Sequence, residues 1–480
     1  METAKKKKDG ASGNGFWHFI DNIEGDKVVW IIVFLLIMIS ILAIFSSTSL
    51  LREGSKDRMD FILDHILIAG IGLTLIFGLY NIKSLKFFRV LSKFGFAFSL
   101  LLLLLLDLHV RIPGVIMAER INGAWRTLRI AGLQMHVFEV VKVAMVMYLA
   151  WAINAYKEDQ DAIGRKKPSG HFRLANSLAK SRNLSSFAQP FWKRVIYMYL
   201  PILIVCLLTL VGSGSSAIFI GVILIATVMI GGMPVKEIAI AGAAGITGLL
   251  LIFGIYTATD GKVFGIFERF ETMESRIGAD YDAERLHDVP VHSNEFYQIL
   301  DEIKQPYSAK IAVHEGGILG KGSGNSTQKY VVSNIYGDYM FSFLVEEYGL
   351  IGGILVIFLY VSLLARGSTI ARLCNDEYAK ITVGGLSILI TGQAFMHMFV
   401  NVDIGPMTGQ TLPLISHGSF AFLVFCIAFG VILSISRIAR NRIREEEEAA
   451  VPIYDSDKDD IQSSMDILED IDNLEDIPQR

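Results

Sequence analysis

The sequence is poor in charged residues, and that shortage excludes an ordinary soluble protein. Charged residues make up 19% of the 480 residues, whereas hydrophobic residues make up 52%. This composition is typical of a polytopic membrane protein. The formal net charge of −4 says little about function, because the charges are segregated along the chain.

Cysteine is also scarce, and several familiar motifs are missing. Cys206 and Cys426 lie inside apolar runs and Cys374 lies in a short basic loop, so no disulfide framework is implied. The ten histidines and three cysteines show no zinc-site spacing, and no Gly-x-Ser-x-Gly segment supports nucleophilic serine chemistry. The first apolar run starts near Val28 and is long enough to stay in the membrane, which does not fit a cleavable signal peptide.

Long apolar runs are what the sequence has in abundance. A spanning helix needs about 20 mostly apolar residues, and ten segments meet this requirement. We therefore predict an all-α polytopic membrane protein with ten transmembrane helices. The boundary between the fifth and sixth is the weakest, because only 212–214 separate them. The segments are 28–48, 61–80, 88–107, 133–153, 195–212, 215–233, 237–256, 339–365, 381–400 and 418–437.

Lysine and arginine cluster in every second connection between these segments. Because basic loops remain in the cytoplasm, we predict a multi-pass protein of the cytoplasmic membrane with both termini in the cytoplasm. The basic clusters lie in the amino end, 81–94, 154–194, 366–380 and the residues after the last helix. The loops 49–60, 108–132, 257–338 and 401–417 are then predicted to face outward.

The predicted membrane domain spans 25–440. Two terminal segments lie outside this domain, and one large loop lies within it but outside its helices. Residues 1–24 are expected to form a flexible cytoplasmic arm. The tail 441–480 is rich in acidic residues and is expected to be disordered and cytoplasmic. The large outer loop 257–338, between helices 7 and 8, mixes charges of both signs. Its segment 263–278 is either an amphipathic helix on the membrane surface or part of an exposed loop.

Helix 4 carries two charges, Glu139 and Lys142, inside an apolar run. Such charges are costly in a membrane, about 2.5–3.5 kcal/mol each on insertion scales. Their spacing of three puts them on one helical face, where they can pair. Either they form a structural ion pair, or they line a polar cavity that receives a charged headgroup. Gln134 and His136 extend the same polar patch.

Four arginines crowd the outward loop before helix 4, against the positive-inside trend. A diphosphate or another anionic group would explain them, because guanidinium groups pair bidentately with phosphate. Pairing with loop acids such as Glu119 is the alternative. The arginines are Arg111, Arg120, Arg126 and Arg129.

The stretch 311–350 is dense in glycine and then becomes apolar, and it carries several charges. Its glycines allow tight backbone packing and let N–H groups approach a ligand. The run around Lys321 resembles a phosphate-binding loop only weakly, since Lys321 is followed by glycine and the loop is predicted to face outward, away from ATP. A lipid diphosphate is the more plausible anion. Glu346 and Glu347 need partners, and the cations of the outer loops are available.

Asp338 stands where polar sequence gives way to the apolar run of helix 8. Aspartate is a favoured helix N-cap residue, and a carboxylate at a membrane border can also act as an acid or base. On residue chemistry alone, both interpretations stay open.

Three motifs in order are distinctive: GGILGKGSGNSTQK (316–329), YGDYMFSFLVEEYGLIGG (336–353) and PMTGQTLPLISHGS (406–419). Together they resemble one family, the SEDS proteins (shape, elongation, division and sporulation), and FtsW-type division proteins most of all. The first helix, GDKVVWIIVFLLIMISILAIFSST (25–48), and NGAWRTLRI (122–130) before helix 4 are also similar to that family. The resemblance covers residues 25–440.

The resemblance implies an enzyme, a glycosyltransferase that polymerises lipid II into peptidoglycan glycan strands at the outer face of the cytoplasmic membrane. It implies a class B penicillin-binding protein as the transpeptidase partner, together with other divisome proteins and membrane lipids, and no nucleic acid. The matching catalytic position is Asp338. The positions expected to bind substrate are Arg126, Glu139, Lys142, Lys321, Lys329 and Ser416.

The sequence departs from the family pattern in places, including 136–139 and 415–419, which leaves division and elongation roles both open. A lipid II flippase is the rival from another class, and a non-enzymatic divisome scaffold is a third hypothesis. Asp338 could act as the base that accepts a sugar hydroxyl proton. A divalent cation such as Mg²⁺ or Mn²⁺ could assist, although no multi-carboxylate site surrounds Asp338 in the sequence.

Overall fold

The chain is mostly helical, and in a computed structural model it forms a multi-pass membrane protein. Among the described residues, eight helices are long and apolar enough to cross a membrane. The described residues are 24–48, 58–121, 124–130, 132–164, 172, 186, 189–258, 289–291, 293–332, 335–405 and 408–450.

Each of the ten predicted segments overlaps one helix of the structure. The first seven helices are α1 Lys27–Ser47, α2 Arg58–Tyr80, α3 Leu85–Asp107, α4 Val137–Gly164, α5 Pro190–Gly212, α6 Gly214–Ile230 and α7 Val235–Ala258. The remaining helices are α8 Asn294–Gly316, α9 Met340–Leu373, α10 Glu377–Asn401 and α11 Ser419–Ala450. Helix α8 lies inside the predicted outer loop, whereas the segment 263–278 lies outside the described residues.

The weak boundary between the fifth and sixth predicted segments is a true helix break. Ser213 has an extended backbone and caps α6, since its side chain accepts a hydrogen bond from Ser216 N. A Cβ at Gly212 would come within 3.0 Å of the Trp125 carbonyl oxygen and of the Phe138 ring. The break therefore makes room for the chain that enters α4.

That chain corrects the all-α prediction, because it folds into an antiparallel β-sheet between α3 and α4. Residue 133, predicted to start a helix, belongs to the last strand. The connection between the first two strands of the sheet contains Pro113-Gly114, and proline and glycine are typical turn residues. In the described part of the sheet, the strands in spatial order are β1 Arg111–Ile112, β2 Ile116–Ile121, β3 Ala124–Ile130 and β4 Leu133–His136.

Helix α4 forms the centre of the bundle. In its most apolar window 94% of the residues are buried, against 28% in α2 and α3, so α4 faces protein on all sides. It contacts α3, α6 and α10, while α9 packs between α8 and α10. The sheet, which leads directly into α4, is thereby fixed to the core.

The helical bundle is tied together by charges at the end opposite the sheet. Asp26 caps α1 through Val28 N and Val29 N and also pairs with Arg366 of α9. Helix α11 continues to Ala450, beyond the predicted end of its span near 437. Its last turns carry i,i+4 ion pairs, Arg442–Glu446 at 2.9 Å and Arg444–Glu448 at 2.7 Å, which stabilise a helix on its own surface.

Candidate functional site

Asp338 lies immediately before the N-cap of α9 and is half-buried. The N-cap residue is Tyr339, and no side-chain hydrogen bond caps the helix there. Asp338 therefore does not occupy the N-cap position that the sequence interpretation offered as one alternative.

The backbone that carries Asp338 is fixed by other segments. The carbonyl oxygens of residues 336–339 each accept a hydrogen bond from a group outside the helix ladder. The donors are, in that order, His417 N at 2.8 Å, Ser416 Oγ at 2.7 Å, Asn401 Nδ2 at 3.0 Å and Ser342 Oγ at 2.8 Å. Such a segment can hold a side chain in one geometry, as a catalytic group requires.

Arg126 and Asp338 both approach the backbone of Gly409. A Cβ built on Gly409, whose φ is +59°, would lie 3.6 Å from Arg126 Nη1 and 3.9 Å from Asp338 Oδ1. Strand β3 thus brings a guanidinium group to the same glycine that the Asp338 carboxylate approaches. Glu119 pairs with Arg129 at 3.0 Å, which confirms the alternative of pairing with a loop acid for that one of the four loop arginines.

Lys142 lies at the centre of a buried polar network next to this pair. Its Nζ donates to Glu139 at 2.7 Å, to Gln393 at 2.5 Å and to Gln410 at 2.8 Å. These three acceptors use all three ammonium hydrogens, and the residue is 2% exposed. The structure therefore forms the ion pair of the first alternative, and Gln410 connects it to neighbouring Gly409.

Helix α10 contributes polar residues that the sequence interpretation missed. His397 Nδ1 lies 2.7 Å from the Gln410 carbonyl oxygen, and its Nε2 accepts from Phe341 N at 3.3 Å. Because Phe341 N can only donate, the proton is assigned to Nδ1. Together with Gln393 and Asn401, His397 forms a polar stripe of spacing four in an apolar helix. That periodicity in the sequence would have identified all three.

Ser416 was predicted to bind substrate, and the structure gives it a supporting contact. Its hydroxyl donates to the Gly337 carbonyl oxygen and accepts from Leu412 N at 2.9 Å. Neighbouring His417 is mostly buried, and this burial lowers the pKa of its imidazole to about 4, against the opposing effect of the Asp64 carboxylate. We call Asp338, Arg126, Lys142, Gln410 and Ser416 the Asp338 cluster.

The glycine-rich segment lies against α9, where that helix is broken. Gly349 has a φ of 69° inside α9, so nearby carbonyl groups lose their helical partners. Lys321 N and Gly322 N donate to the carbonyl oxygens of Glu346 and Glu347, each at 2.9 Å. A Cβ at Gly349 would come within 3.0 Å of Ile318 O, so the two backbones need glycine at this crossing.

The anionic groups that this segment binds are carboxylates of the protein itself. Glu346 Oε1 accepts from Thr327 N at 2.8 Å, and Glu347 Oε1 accepts from Gly324 N at 2.9 Å. Both glutamates are fully buried. The expected lipid diphosphate is therefore replaced, at these N–H groups, by two carboxylates of α9. We call residues 316–329 with Glu346 and Glu347 the glycine-loop cluster.

Lys321 and Lys329, both predicted to bind substrate, belong to the glycine-loop cluster. Lys321 pairs with Glu346 at 2.9 Å and with Glu315, which confirms that a cation of the loop between helices 7 and 8 of the prediction partners a glutamate of α9. Lys329 Nζ donates to the Gly324 carbonyl oxygen at 2.6 Å. Within the described part of the chain, the structure brings neither lysine into contact with the Asp338 cluster.

The residues around Asp338 do not suit a metal ion held by protein ligands. No group of three or more histidine, cysteine, aspartate or glutamate side chains that could hold a metal occurs among the described residues. The charged neighbour of Asp338 across Gly409 is the cation Arg126, whereas Mg²⁺ and Mn²⁺ favour sets of oxygen ligands.

Similarity to known proteins identifies the family to which the chain belongs. The model of the cell cycle protein family that unites FtsW, RodA and SpoVE matches residues 26–441. The chain belongs to this family. Stage V sporulation protein E of Bacillus subtilis is 25% identical over 417 residues, covering 86% of this chain and 98% of that protein. The probable peptidoglycan glycosyltransferase FtsW of Enterococcus hirae is 27% identical over 424 residues, covering 85% and 92%.

Other relatives are shorter matches or solved structures. The peptidoglycan glycosyltransferase MrdB of Escherichia coli K12 is 33% identical over 150 residues, 28% of this chain and 40% of MrdB. A chain of a peptidoglycan synthase complex superposes with a TM-score of 0.56 at 20% identity, covering 86% of this chain and 98% of that one. Thermus thermophilus RodA superposes with a TM-score of 0.51 at 19% identity, covering 87% and 98%. These structures share the fold.

Proposed function

We propose that this chain is a peptidoglycan glycosyltransferase that polymerises lipid II into glycan strands, in the manner of its FtsW relatives. The observation that carries the proposal is that the Asp338 carboxylate and the Arg126 guanidinium group both lie within 4 Å of the Cβ position of Gly409. A base and a cation side by side are what the transfer of a sugar from a diphosphate requires. The names of the FtsW and MrdB relatives support the same activity.

In the proposed reaction, the 4-hydroxyl oxygen of one lipid-linked sugar attacks the anomeric carbon of another. Asp338 accepts the hydroxyl proton as the new C–O bond forms. The bond from the anomeric carbon to the diphosphate oxygen breaks, and undecaprenyl diphosphate leaves with the electron pair. Arg126 stabilises the negative charge that develops on the leaving diphosphate.

The other residues of the Asp338 cluster, together with Glu139 and Asn401, act as positioning residues in this proposal. Lys142 fixes Gln410, and with it the loop that contains Gly409. Ser416 and Asn401 fix the backbone on both sides of Asp338. Glu139 holds Lys142 in place. Substrate contact is therefore assigned to Arg126 rather than to Lys142, whose ammonium hydrogens are already used.

The proposed topology has ten spans, α1–α7 and α9–α11, with both termini in the cytoplasm and Asp338 at the outer face of the cytoplasmic membrane. The basic connections support this orientation. A class B penicillin-binding protein is the proposed partner, since a solved structure with this fold comes from a complex that coordinates polymerisation with crosslinking. We propose septal synthesis in cell division as the role, because FtsW-type proteins are prominent among the relatives.

A lipid II flippase would need a mobile charge within the membrane. Lys142, the buried cation of α4, is held by three acceptors and is 2% exposed. This arrangement suits a rigid support better than a group that follows a substrate or ion across the membrane. The observation favours catalysis.

The proposal is tested with purified chain, its transpeptidase partner and lipid II. Asp338→Asn should lower the polymerisation rate by about 10²–10⁴-fold without changing thermal stability. Asp403→Asn is the matched control, because Asp403 is an exposed carboxylate two residues beyond Asn401 that pairs with Lys310, and it should polymerise like wild type. Full activity of Asp338→Asn would refute the base assignment, and lipid II movement without polymerisation by wild type would favour the flippase.

A further inference from the structure

The hairpin formed by β1, β2 and their turn, residues 111–121, exposes apolar side chains beside the membrane helices. Ile112 is 48% exposed, Val115 is 54% exposed and Met117 is 39% exposed. The sheet connects two membrane-spanning helices, α3 and α4, so the hairpin lies at the membrane border of the end that carries Asp338. Exposed apolar groups at that depth need an apolar neighbour.

The apolar surface of the hairpin continues a face of α3. Exposed large side chains recur along α3 at spacings of three and four, which is one face of a helix. This face contacts lipid, since α3 is a span whose apolar window is largely unburied. Leu108, at its end, is followed after three residues by Arg111 of the hairpin. The face consists of Phe94, Phe98, Leu101, Leu104 and Leu108, which are 46–72% exposed.

Two arginines of the hairpin provide positive charge at the same border. Arg111 Cζ lies 5.5 Å and Arg120 Cζ 4.8 Å from the centre of the Trp125 ring. Both arginines are exposed, and among the described residues neither has a carboxylate partner. Arg129, on the neighbouring strand, differs because it pairs with Glu119.

We propose that this hairpin is a lipid-docking element that inserts Ile112 and Val115 into the membrane interface and binds the phosphates of anionic phospholipids through Arg111 and Arg120. The indole of Trp125 holds the two guanidinium groups in place by cation–π contacts. Apolar residues with adjacent cations are the combination that binds an anionic lipid surface. Because Arg126 leaves the same sheet toward Asp338, docking of the hairpin anchors the sheet that carries Arg126.

The test places a probe on the hairpin in nanodiscs of phosphatidylcholine alone or with phosphatidylglycerol. Val115→Cys, in a background with Cys206, Cys374 and Cys426 replaced by alanine, carries an environment-sensitive dye. Lipids with a spin label near the headgroup should quench the dye, more strongly with phosphatidylglycerol. Arg111→Gln and Arg120→Gln should each weaken docking by a factor of about five, whereas Arg129→Gln should leave it unchanged.

Hydrogen exchange of the wild-type chain gives an independent measurement that needs no substitution. Amides of 111–121 should exchange more slowly in nanodiscs with phosphatidylglycerol than in those without it. Equal exchange in both, a dye that remains accessible to an aqueous quencher, or an Arg129→Gln effect equal to that of Arg111→Gln would overturn the proposal. Protection that appears only on addition of the transpeptidase partner would assign the surface to a protein and overturn it as well.

Discussion

The Asp338 cluster and the glycine-loop cluster both lie near the first turns of α9, and both are dense in polar and charged groups. In the glycine-loop cluster, the carboxylates of Glu346 and Glu347 accept hydrogen bonds from backbone N–H groups and serine hydroxyls. In the Asp338 cluster, the supporting bonds go to the backbone around Asp338 instead. The first arrangement holds charged side chains in place. The second fixes the backbone of Asp338, whose side chain approaches Gly409 together with Arg126.

This difference separates a structural polar cluster from a candidate active site. Charge density alone does not distinguish them, since the glycine-loop cluster contains more charged residues. The useful criterion is whether the hydrogen bonds are made to the charged side chain itself or to the backbone that carries it. Buried charges that accept hydrogen bonds from the protein itself stabilise the fold, whereas a carboxylate on a rigidly held backbone is prepared to act on a ligand.

The largest effect is expected from Gly349→Ala, which tests the structural side of the comparison. The new Cβ would come within 3.0 Å of Ile318 O at a φ of +69°, so the glycine-rich segment must move away from α9. We expect a loss of about 3 kcal/mol or more in stability, measured by thermal unfolding in detergent.

Gly245→Ala in α7 is the matched control for that substitution. Nothing lies within 4 Å of its Cβ position and its backbone is helical, so it should leave the unfolding temperature unchanged or raise it slightly. Equal unfolding temperatures for the two variants would mean that the segment is not packed against α9.

The helices follow from the sequence because membrane thickness fixes the length of an apolar run. Glu139 and Lys142 were also predictable as a pair, since helical spacing alone brings them together. Arg126 and Asp338 are different, because their meeting depends on a β-sheet that inserts between α3 and α4 and on the loop around Gly409. Neighbours so distant in sequence are set by tertiary packing, which no local pattern encodes.

The glycine-rich segment was predicted to bind an anion through its N–H groups, with a lipid diphosphate as the expected ligand. Its N–H groups do bind an anion, as the glycine content indicated. The anion is supplied by Glu346 and Glu347, whose position next to the segment depends on the break of α9 at Gly349. The stripe of Gln393 and His397, in contrast, was present in the sequence as a simple periodicity.

A smaller effect, on activity rather than stability, is expected from Gly409→Ala. Its methyl group would lie 3.6 Å from Arg126 Nη1 and 3.9 Å from Asp338 Oδ1, an ordinary contact distance that fills the space between them. We expect polymerisation to fall by about tenfold to a hundredfold, measured with lipid II under steady-state conditions.

Gly324→Ala provides the control within the other cluster. Gly324 also has a positive φ, +84°, and nothing lies within 4 Å of its Cβ position. Both variants therefore carry similar backbone strain, and they differ in what the methyl group meets. If Gly324→Ala reduced polymerisation as much as Gly409→Ala, strain rather than the occupied space would explain the loss.

The smallest effect concerns the pH dependence of the glycine-loop cluster. Burial lowers the pKa of the Lys321 ammonium, but its hydrogen bonds to Glu315 and Glu346 outweigh burial and raise the pKa above its ordinary value of 10.5. A group with a raised folded pKa contributes stability that is fully present below the unfolded pKa and is lost as the pH rises through the folded pKa. The contribution of Lys321, roughly 1 kcal/mol for a partly exposed pair, should therefore persist at neutral pH and disappear above pH 10.5.

The measurement is the difference in unfolding temperature between wild type and Lys321→Gln, followed from neutral to strongly alkaline pH. Taking the difference cancels the titration of other groups. A difference that stays constant through this range would show that the ammonium charge does not hold the segment to α9. Polymerisation at neutral pH should change little in Lys321→Gln, because the contacts of Lys321 are with the glycine-loop cluster and not with Asp338.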